Sequence, residues 1–350
     1  MLPRERVLAA LAHQAADRVP LDFWGVPEIW QKLRTHFETE NDEDILKAFG
    51  IDIRQFQPDY SGPPLEVLPD GSFFDAMGTH RRKVRNAFCE YDEYASSPLG
   101  FVETVSDFER YAWPDIEHFD FASLPEKIGD MHNTYYIKLE TGGLFELAWA
   151  LRGYERFMID LAEEPDIVHF IMGRITDFYC EYIRRAMRYA GDKYDMVYTY
   201  DDIAGQNSLL ISEDCWKEFI RPYHVKLNKV IRDECGKTVM YHSCGAVYDM
   251  IPSLIELPID VLNPLQPLAR GMDYSLIKQN YGKKLSFHGG IDIQHLLPRG
   301  SVQDVEEGVR RAIGILGKNG GYILASAHYI QADTPVENII TMYECAKSTP

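Results

Sequence analysis

The sequence predicts an α/β protein with the architecture of a (β/α)₈ TIM barrel, and three observations support this prediction. Eight short apolar segments are separated, for the most part, by longer amphipathic segments of helical period. The length of 350 residues suits one barrel with an insertion. No Gly-x-Gly-x-x-Gly fingerprint follows the first apolar segment, which disfavours an open doubly wound sheet. We therefore predict one barrel domain over residues 1–350.

The first elements differ in the signal that predicts them. Val19–Trp24 is a short apolar run typical of a buried strand, and Ile51–Gln57 alternates as a strand does. The helix predicted at Asp42–Phe49 is followed by Gly50, a favourable C-cap. Two further helices are predicted in this part of the chain, at Pro3–His13 and Val26–Phe37.

The later part of the chain repeats strand and helix regularly. Strands are predicted from apolar runs at Leu144–Leu147, Met196–Tyr200, Thr238–Tyr241, Val261–Pro264, Leu285–His288 and Tyr322–Ser326. Amphipathic helices are predicted at Tyr154–Ala162, Ile167–Tyr189, Glu213–Glu234, Val247–Ile255 and Val302–Leu316. Parallel strands joined by helices close into a barrel when there are eight of them.

The region 58–114, near the N-terminal third, has a different character. Gly and Pro residues punctuate it and separate short runs such as Thr79–Val84 and Phe101–Val105. We interpret it as an inserted β-hairpin and loop region that lies over the mouth of the barrel.

Composition excludes several classes of function. The formal net charge of −18 argues against binding nucleic acid, which requires a dense surface of Lys and Arg. The chain has no apolar run long enough to cross a membrane, and its first residues do not resemble a signal peptide. The six cysteines are scattered, as in proteins of a reducing compartment, so we expect free thiols and a cytoplasmic location.

The segment Thr238–Gly245 carries the sharpest chemical signal. Side chains alternate along a strand, so His242 and Cys244, which are two residues apart, project to the same side. At the carboxyl end of a barrel strand that side is the central cleft, where barrel enzymes carry their active sites. Imidazole and thiolate are favourable zinc ligands. Taken alone, the pair is equally consistent with a buried thiol beside a hydrogen-bonded histidine.

A third candidate ligand strengthens the metal hypothesis. His328 follows the last predicted strand and lies at the same rim, so barrel closure would bring it towards His242 and Cys244. Three protein ligands with one open position are typical of a catalytic zinc site. Glu146 is a candidate catalytic residue and fourth ligand, and the alternative is that its carboxylate pairs with Arg152.

Other polar and aromatic residues cluster at predicted strand ends. Asp201, Asp202 and His288 are candidate catalytic residues, and either aspartate is suited to orient a metal-bound histidine. Gly289 and Gly290 would allow the backbone to approach a ligand closely. The candidate substrate-binding residues are Trp24, Asp59, Tyr60, Tyr200, Gln206, Asn263 and Asp292. Each also has an interpretation as a helix cap or loop residue. The histidines interpreted as surface or packing residues are His80, His118, His132, His169, His224 and His295.

Taken together, these features resemble the uroporphyrinogen decarboxylase superfamily and, within it, the corrinoid-linked zinc methyltransferases. The resemblance covers nearly the whole chain and is carried by Arg4–Leu11, Arg18–Pro20, Asp201–Gln206, His242–Gly245, Phe287–Asp292 and Thr334–Asn338. It implies a barrel fold, a zinc ion at the His-x-Cys motif, and a corrinoid (cobalamin) cofactor carried by a partner protein.

The chain departs from this family at two places. The decarboxylases carry an arginine-rich motif after the first strand to bind the carboxylates of a tetrapyrrole, whereas Leu21–Glu28 contains no arginine. The thiol-activating zinc methyltransferases use a distant cysteine where this chain has His328. A site with fewer thiolates is a stronger Lewis acid, which suits the polarisation of a methyl ether.

We therefore expect a corrinoid-dependent methyltransferase that acts on a methoxylated aromatic compound or a similar ether. One alternative is a methylcobalamin:thiol methyltransferase, and another is a metal-independent, decarboxylase-like enzyme acting on a non-porphyrin acid. A third, non-catalytic alternative is a barrel that binds a corrinoid or tetrapyrrole. The expected partners are a corrinoid protein and a small molecule, and association into a homo-oligomer is compatible with the sequence.

Overall fold

The computed structural model describes residues 1–86 and 88–349, so that Ala87, in the predicted insertion, and Pro350 lie outside the described residues. The strands are β1 (Ile53–Gln55), β2 (Asp59–Tyr60), β3 (Phe73–Phe74), β4 (His80–Arg85), β5 (Glu90–Ser96), β6 (Phe119–Asp120), β7 (Tyr136–Gly143), β8 (Met196–Tyr200), β9 (Thr238–His242), β10 (Val261–Leu265), β11 (Ser286–Ile291) and β12 (Tyr322–Ser326).

The helices are α1 (Pro3–Leu11), α2 (Pro27–Phe37), α3 (Asp42–Phe49), α4 (Val105–Glu109), α5 (Leu124–Ile128), α6 (Leu144–Arg152), α7 (Tyr154–Glu163), α8 (Pro165–Ala190), α9 (Glu213–Phe219), α10 (Arg221–Lys229), α11 (Ile251–Ile255), α12 (Tyr274–Tyr281), α13 (Leu296–Arg299), α14 (Val302–Leu316) and α15 (Val336–Ser348). Short 3₁₀ turns lie at Ile116–His118, Met131–Asn133 and Tyr248–Met250, and a π-helical turn lies at Val230–Glu234. Over the described residues, no helix combines the length and apolar character needed to cross a membrane.

Seven parallel strands form one curved sheet in the order β1-β7-β8-β9-β10-β11-β12. The segment Leu21–Gly25 lies between its two edges and closes it. On one side the Asp22 N–H donates to the Leu324 carbonyl at 3.0 Å, and on the other the Asp52 N–H donates to the Leu21 carbonyl at 2.9 Å. The predicted TIM-barrel fold is therefore confirmed, and its first strand is a short closing segment.

Residues facing the inside of the barrel alternate with residues facing the helices, as expected for strands. One buried cluster fills the inside and consists of Val7, Trp24, Ile53, Tyr136, Met196, Tyr198, Met240, Val261 and Ile323. The intervening residues, such as Val197, Tyr241 and Leu262, belong to a larger core shared with the helices. The inward positions nearest the carboxyl ends of β9, β10 and β11 are polar, and they form the candidate site.

The third strand of the barrel is not where the sequence predicted it. Leu144–Leu147 is the beginning of α6, and the strand is β7, which ends at Gly143. A short apolar run does not by itself distinguish a strand from a buried helix. The real strand was overlooked because Lys138 and Glu140 interrupt its apolar pattern, and these two side chains occupy alternate positions along it.

Two other predicted elements also differ. Phe101–Val105 is not a strand; it is a loop that leads into α4. The single helix predicted over Glu213–Glu234 is interrupted at Ile220, before Pro222, and ends in a π-helical turn. Proline removes a backbone donor and clashes with the preceding turn, which explains the interruption.

The region 58–114 contains a three-stranded antiparallel sheet in the order β3-β4-β5. Its position over the barrel mouth stays a prediction, with which two contacts agree. The Glu90 N–H donates to the carboxylate of Glu28, in the first turn of α2, at 3.0 Å. Tyr94 of β5 stacks edge-on against Trp149 of α6, with ring centroids 5.1 Å apart. Both contacted helices begin where a barrel strand ends.

A buried carboxylate ties the N-terminal helix to the barrel. Asp52 is fully buried and accepts hydrogen bonds from Arg6, from Arg18 at 2.8 Å, and from the Leu21 N–H at 2.8 Å. These contacts join α1, the closing segment and the beginning of β1.

We expect Asp52→Ala to lower the free energy of unfolding by about 3 kcal/mol, because it removes a buried carboxylate that pairs with both Arg6 and Arg18. Urea unfolding followed by circular dichroism measures the change. Asp42→Ala is the matched control, since Asp42 pairs with Arg34 on the exposed surface and should matter much less. Equal destabilisation by the two substitutions would contradict this account of barrel closure.

Candidate metal centre

Three side chains converge at the carboxyl ends of β9 and β12. One ligand atom from each of His242, Cys244 and His328 lies within 4.8 Å of the other two. The Cys244 Sγ is 3.2 Å from the His242 Nε2, and the two imidazole rings lie 5.9 Å apart. The three candidate ligands are therefore close enough to one another to bind a single metal ion, as the prediction from the sequence required. Two nitrogen donors and one sulfur donor form a set that suits zinc, and zinc at this cluster stays a prediction.

Burial and the charge of His242 lower the pKa of His328 to about 4. His328 is therefore a neutral imidazole near pH 7, the form that binds metal ions.

The backbone after β9 turns sharply to present Cys244. Gly245 adopts a φ of 91°, and a Cβ there would lie 2.5 Å from the Gly205 carbonyl oxygen, so only glycine fits. The Gly245 N–H donates to the Gln266 side chain at 2.8 Å, and Gln266 in turn donates to Gln206 at 3.0 Å. The predicted substrate residue Gln206 thus supports the loop that carries Cys244.

A directed chain of hydrogen bonds begins at His242. Its Nδ1 donates to the amide oxygen of Asn263, and the Asn263 amide nitrogen donates to the Nδ1 of His288 at 2.6 Å. The Nε2 of His288 then donates to Asp22 at 3.1 Å. Because each donor faces an acceptor, these hydrogen bonds fix a proton on the Nδ1 of His242 and leave its Nε2, which faces Cys244 and Asp202, as the nitrogen that would bind a metal.

Inside the barrel, this series of hydrogen bonds ends at the ion pair between Asp22 and Lys138. The Lys138 ammonium lies 3.2 Å from the Asp22 carboxylate and 4.6 Å from the centre of the Trp24 ring. Burial opposes ionisation of Asp22, but Lys138 and the His288 and Trp24 donors hold the pKa of Asp22 well below its usual range. Burial lowers the pKa of His288, so the ring is neutral and its Nδ1 can accept from Asn263.

The two adjacent aspartates have different surroundings. Asp202 accepts the Cys244 N–H at 2.7 Å, and its carboxylate lies 3.4 Å from the His242 Nε2. Asp201 accepts the N–H groups of Phe145 and Glu146 at 2.9 Å. The histidine that Asp201 contacts is His224, not a candidate ligand. Asp202 therefore belongs to the metal cluster, and Asp201 caps α6.

Glu146 lies in the first turn of α6 beside the cluster. Arg152 pairs with Asp160 at 2.6 Å, so the alternative in which Arg152 neutralises Glu146 is wrong. Burial, followed by repulsion from Asp201 and Asp202, raises the pKa of Glu146 to about 7. A carboxyl group with this pKa can give or take a proton near neutral pH.

The predicted substrate residues divide into those near the cluster and those elsewhere. The Trp24 ring lies 6.3 Å from that of His242, and the Tyr200 ring lies 6.4 Å from it. Asn263 belongs to the hydrogen-bond chain. Asp292 accepts three backbone N–H groups, from residues 294, 295 and 296, and therefore caps α13.

The first two candidate residues after β1 lie in a separate small sheet. β2, which consists of Asp59 and Tyr60, pairs with β6. Asp59 forms an ion pair with Lys127, and the Tyr60 hydroxyl donates to the Pro63 carbonyl at 2.9 Å. Over residues 1–86 and 88–349, neither makes a hydrogen bond, ion pair or aromatic contact with the metal cluster.

Two further interpretations from the sequence need correction. Gly289 and Gly290 have φ values of 99° and 95°, and a Cβ on either would crowd Pro264 or the Tyr322 hydroxyl. These glycines therefore serve packing within the barrel, not approach to a ligand. His224 is fully buried and bonds to Asp201, so it is part of a specific polar contact.

Sequence reasoning missed several residues of the site, namely Asp22, Lys138, Glu140, Tyr198 and Tyr329. A signal for two of them existed, because Lys138 and Glu140 alternate with the apolar Ile137 and Leu139, as inward and outward residues of a strand do. The other three carry no local signal, since their contacts depend on closure of the barrel.

The fold and the cluster define a barrel protein with a candidate metal centre at the end of the barrel where enzymes of this architecture carry their active sites. The chain belongs to the uroporphyrinogen decarboxylase family, whose sequence pattern matches residues 138–349. This matched region contains all three candidate ligands.

Two proteins from Methanosarcina mazei extend the comparison. The chain is 25% identical over 206 residues to a methylated-thiol–coenzyme M methyltransferase, covering 59% of this chain and 51% of the relative. The chain thus spans about half the length of that curated relative. A solved structure of a methyltransferase has the same fold, with a TM-score of 0.71, 17% identity, and coverage of 99% of this chain and 98% of that one.

We expect Asn263→Ala to weaken zinc binding by roughly 10–100-fold, because it removes the acceptor that fixes the tautomer and orientation of His242. Competition with a chromophoric chelator measures this affinity. Asn338→Ala is the matched control, since Asn338 is a buried asparagine that bonds to carbonyl groups near α13. If Asn263→Ala binds zinc as tightly as the unmodified protein, the hydrogen bonds through Asn263 do not orient His242 for metal binding.

Glu146 should also make the stability of the metal-free protein depend on pH. Its folded-state pKa lies above the ordinary value of 4.5, so folding favours the protonated form. That stabilising contribution is complete below about pH 4.5 and is lost as the pH rises through about 7. The groups that face Glu146 are Asp201, Asp202, His242, Arg81, Tyr94 and Tyr200.

We therefore expect Glu146→Gln to stabilise the metal-free protein at pH 8, by up to about 3 kcal/mol, and to have little effect near pH 4.5. Chemical unfolding at both pH values measures the difference. Glu155→Gln, at an exposed position of α7, should show no such dependence. A pH-independent effect of Glu146→Gln would mean that the carboxyl group titrates normally.

Proposed function

We propose that this chain is a zinc-dependent methyltransferase that transfers a methyl group from a small donor to a corrinoid carried by a partner protein. The proposed donor is a methoxylated aromatic compound or a similar ether. The observation that carries the proposal is the convergence of His242, Cys244 and His328. Membership in the uroporphyrinogen decarboxylase family and the names of the relatives support methyl transfer as the class of reaction.

The donor groups fit a zinc ion. His242 donates from Nδ1 to Asn263, so its Nε2 faces Cys244 as an unprotonated ligand once a metal binds. His328 is neutral near pH 7, and Cys244 contributes a thiolate. A bound zinc ion would supply Lewis acidity to the oxygen or sulfur that carries the methyl group.

The residues around the cluster would orient the donor and supply a proton. Removal of a methyl group from an ether breaks the carbon–oxygen bond and leaves its electron pair on the oxygen, which then requires a proton. Glu146 has a pKa of about 7 and is our candidate for the residue that holds this proton. The rings of Trp24, Tyr198 and Tyr200 surround His242 and restrict the position of the substrate.

We also propose that the chain is one barrel domain and that the region 58–114 forms part of the surface for the corrinoid protein. Support for this comes from three exposed apolar side chains in the region, Val67, Phe88 and Phe101, of which Phe101 is 98% exposed. Apolar side chains that lie together on a surface are typical of contact surfaces, and we propose that these three form such a patch. Further support comes from two contacts, of Glu90 with Glu28 and of Tyr94 with Trp149, on helices that begin at strand ends.

Transfer of a methyl group to a thiol is the second candidate function. It is favoured by the 25% identity to a methylated-thiol–coenzyme M methyltransferase. The cluster would then bind the sulfur of the thiol and lower its pKa. Decarboxylation of a tetrapyrrole is not proposed, because Leu21–Glu28 has no arginine to bind carboxylates.

The proposal is tested with the purified, zinc-loaded protein, reduced cobalamin as acceptor and a panel of methoxylated aromatics. We expect about one zinc ion per chain by metal analysis and methyl transfer detected by the cobalamin absorbance. His328→Ala should lose both zinc and activity, because two ligands do not hold the ion. His169→Ala is the matched control, since His169 bonds to Tyr223 away from the cluster.

Two results would contradict the proposal. Methyl transfer that survives removal of zinc by EDTA would contradict the zinc-dependent mechanism, and turnover of a non-porphyrin acid without metal would favour the decarboxylase-like enzyme. Binding of a corrinoid or tetrapyrrole without turnover of any donor or thiol would favour a non-catalytic barrel.

A further inference from the structure

Three carboxylates surround the candidate metal centre. Asp202 lies 3.4 Å from the His242 Nε2, and Glu146 is close enough for the charges of Asp202 and His242 to act on it. Glu140 of β7 is in register with Tyr198, whose ring lies 6.0 Å from that of His242, and it accepts a hydrogen bond from Gln55. Burial raises the pKa of Glu140 and of Glu146, and repulsion from Asp201 and Asp202 raises that of Glu146 further.

None of these carboxylates makes an ion pair with lysine or arginine in the described part of the chain. Lys138 is committed to Asp22 below the Trp24 ring. Arg81 is the nearest arginine to Glu146, but it pairs with Asp75 at 3.1 Å and stacks on Tyr94 at 3.8 Å.

A bound divalent cation would not make the net charge of the site positive. The thiolate and the three carboxylates together carry more negative charge than the cation carries positive charge. Like charges placed close together in a partly desolvated site are strongly unfavourable. The remaining surface beside the cluster is aromatic. Tyr329 lies 5.4 Å from the His328 ring, and Tyr198 and Tyr200 lie 6.0 and 6.4 Å from the His242 ring.

We infer that the small-molecule substrate carries no anionic group, and that Glu140 and Glu146 exclude sulfonated and carboxylated compounds from the site. This inference rests on the proposed function and narrows its substrate class to uncharged methyl ethers or thiols. It differs from what the name of the curated relative would suggest, since coenzyme M is a thiol with a sulfonate group. Specificity of this kind arises from repulsion of the wrong ligand.

The test uses pairs of compounds that differ mainly in charge, at pH 8 and with zinc-loaded protein. For the donor direction the pair is 4-(hydroxymethyl)-2-methoxyphenol and 4-hydroxy-3-methoxybenzoate, with reduced cobalamin as acceptor. For the thiol direction the pair is 2-mercaptoethanol and 2-mercaptoethanesulfonate, with methylcobalamin as donor. Binding of all four compounds is measured separately by calorimetry, so the result does not depend on turnover alone.

We expect kcat/KM and the binding constant to favour the uncharged member of each active pair by about tenfold or more. In Glu140→Gln and Glu146→Gln the preference should fall towards one, because each substitution removes one repulsive charge. For Glu146→Gln the preference is taken from calorimetry and from the thiol pair, because Glu146 is also the proposed proton donor in ether cleavage. Glu307→Gln, on an exposed turn of α14, removes the same charge elsewhere and should keep the full preference. Thermal melting of each variant shows whether it is folded.

Equal or better use of the anionic member by the unmodified protein overturns the inference and leaves the proposed function intact. Arg270→Gln would then show whether this exposed rim arginine, near Asn207, binds the anion. Absence of transfer in both directions contradicts the proposed function, and calorimetry still decides the charge preference of the site. An unchanged preference in both glutamine variants assigns the selectivity to other residues and also overturns the inference.

Discussion

The closing segment Leu21–Gly25 is the piece of chain on which the barrel and the candidate centre both depend. Its backbone joins β12 to β1, and the barrel is not closed without it. Its inward side chains are Asp22, which accepts from His288, and Trp24, which packs against His242. Closure of the sheet and orientation of the first ligand therefore come from the same residues, so a change in one necessarily affects the other.

The inside of the barrel contains more charge than stability requires. Burial of Lys138 and Asp22 carries a desolvation penalty that the attraction between them only partly offsets. Apolar residues of similar volume would fill the same space at lower cost. The ion pair instead fixes the direction of the hydrogen bonds through His288 and Asn263, which is a function of orientation. We therefore interpret the buried Lys138–Asp22 pair as serving the orientation of the site residues and not the stability of the barrel.

Short sequence patterns predicted strands and the pairing of neighbouring residues, whereas contacts between distant residues of the site arise only when the barrel closes. Met196–Tyr200 and Tyr322–Ser326 were predicted with their observed bounds because both are short, mainly apolar runs without a charged residue. His242 and Cys244 were paired correctly because alternation along a strand is a property of adjacent residues. The bond between His288 and Asp22, which spans 266 positions, depends on the meeting of the first and seventh barrel strands. No short-range pattern encodes it.

The carboxylates that lack a lysine or arginine partner are themselves an argument for a cation at this place. Asp202 pairs with His242, whereas Glu146 and Glu140 have no ion-pair partner among the described residues, and burial disfavours their charged forms. Two neutral imidazoles and one thiolate would leave a divalent ion with one net positive charge, which the nearest carboxylate can balance. Glu140 and Glu146 then remain as the charges that face the substrate. The same residues thus account for why a metal should bind and for why an anion should not.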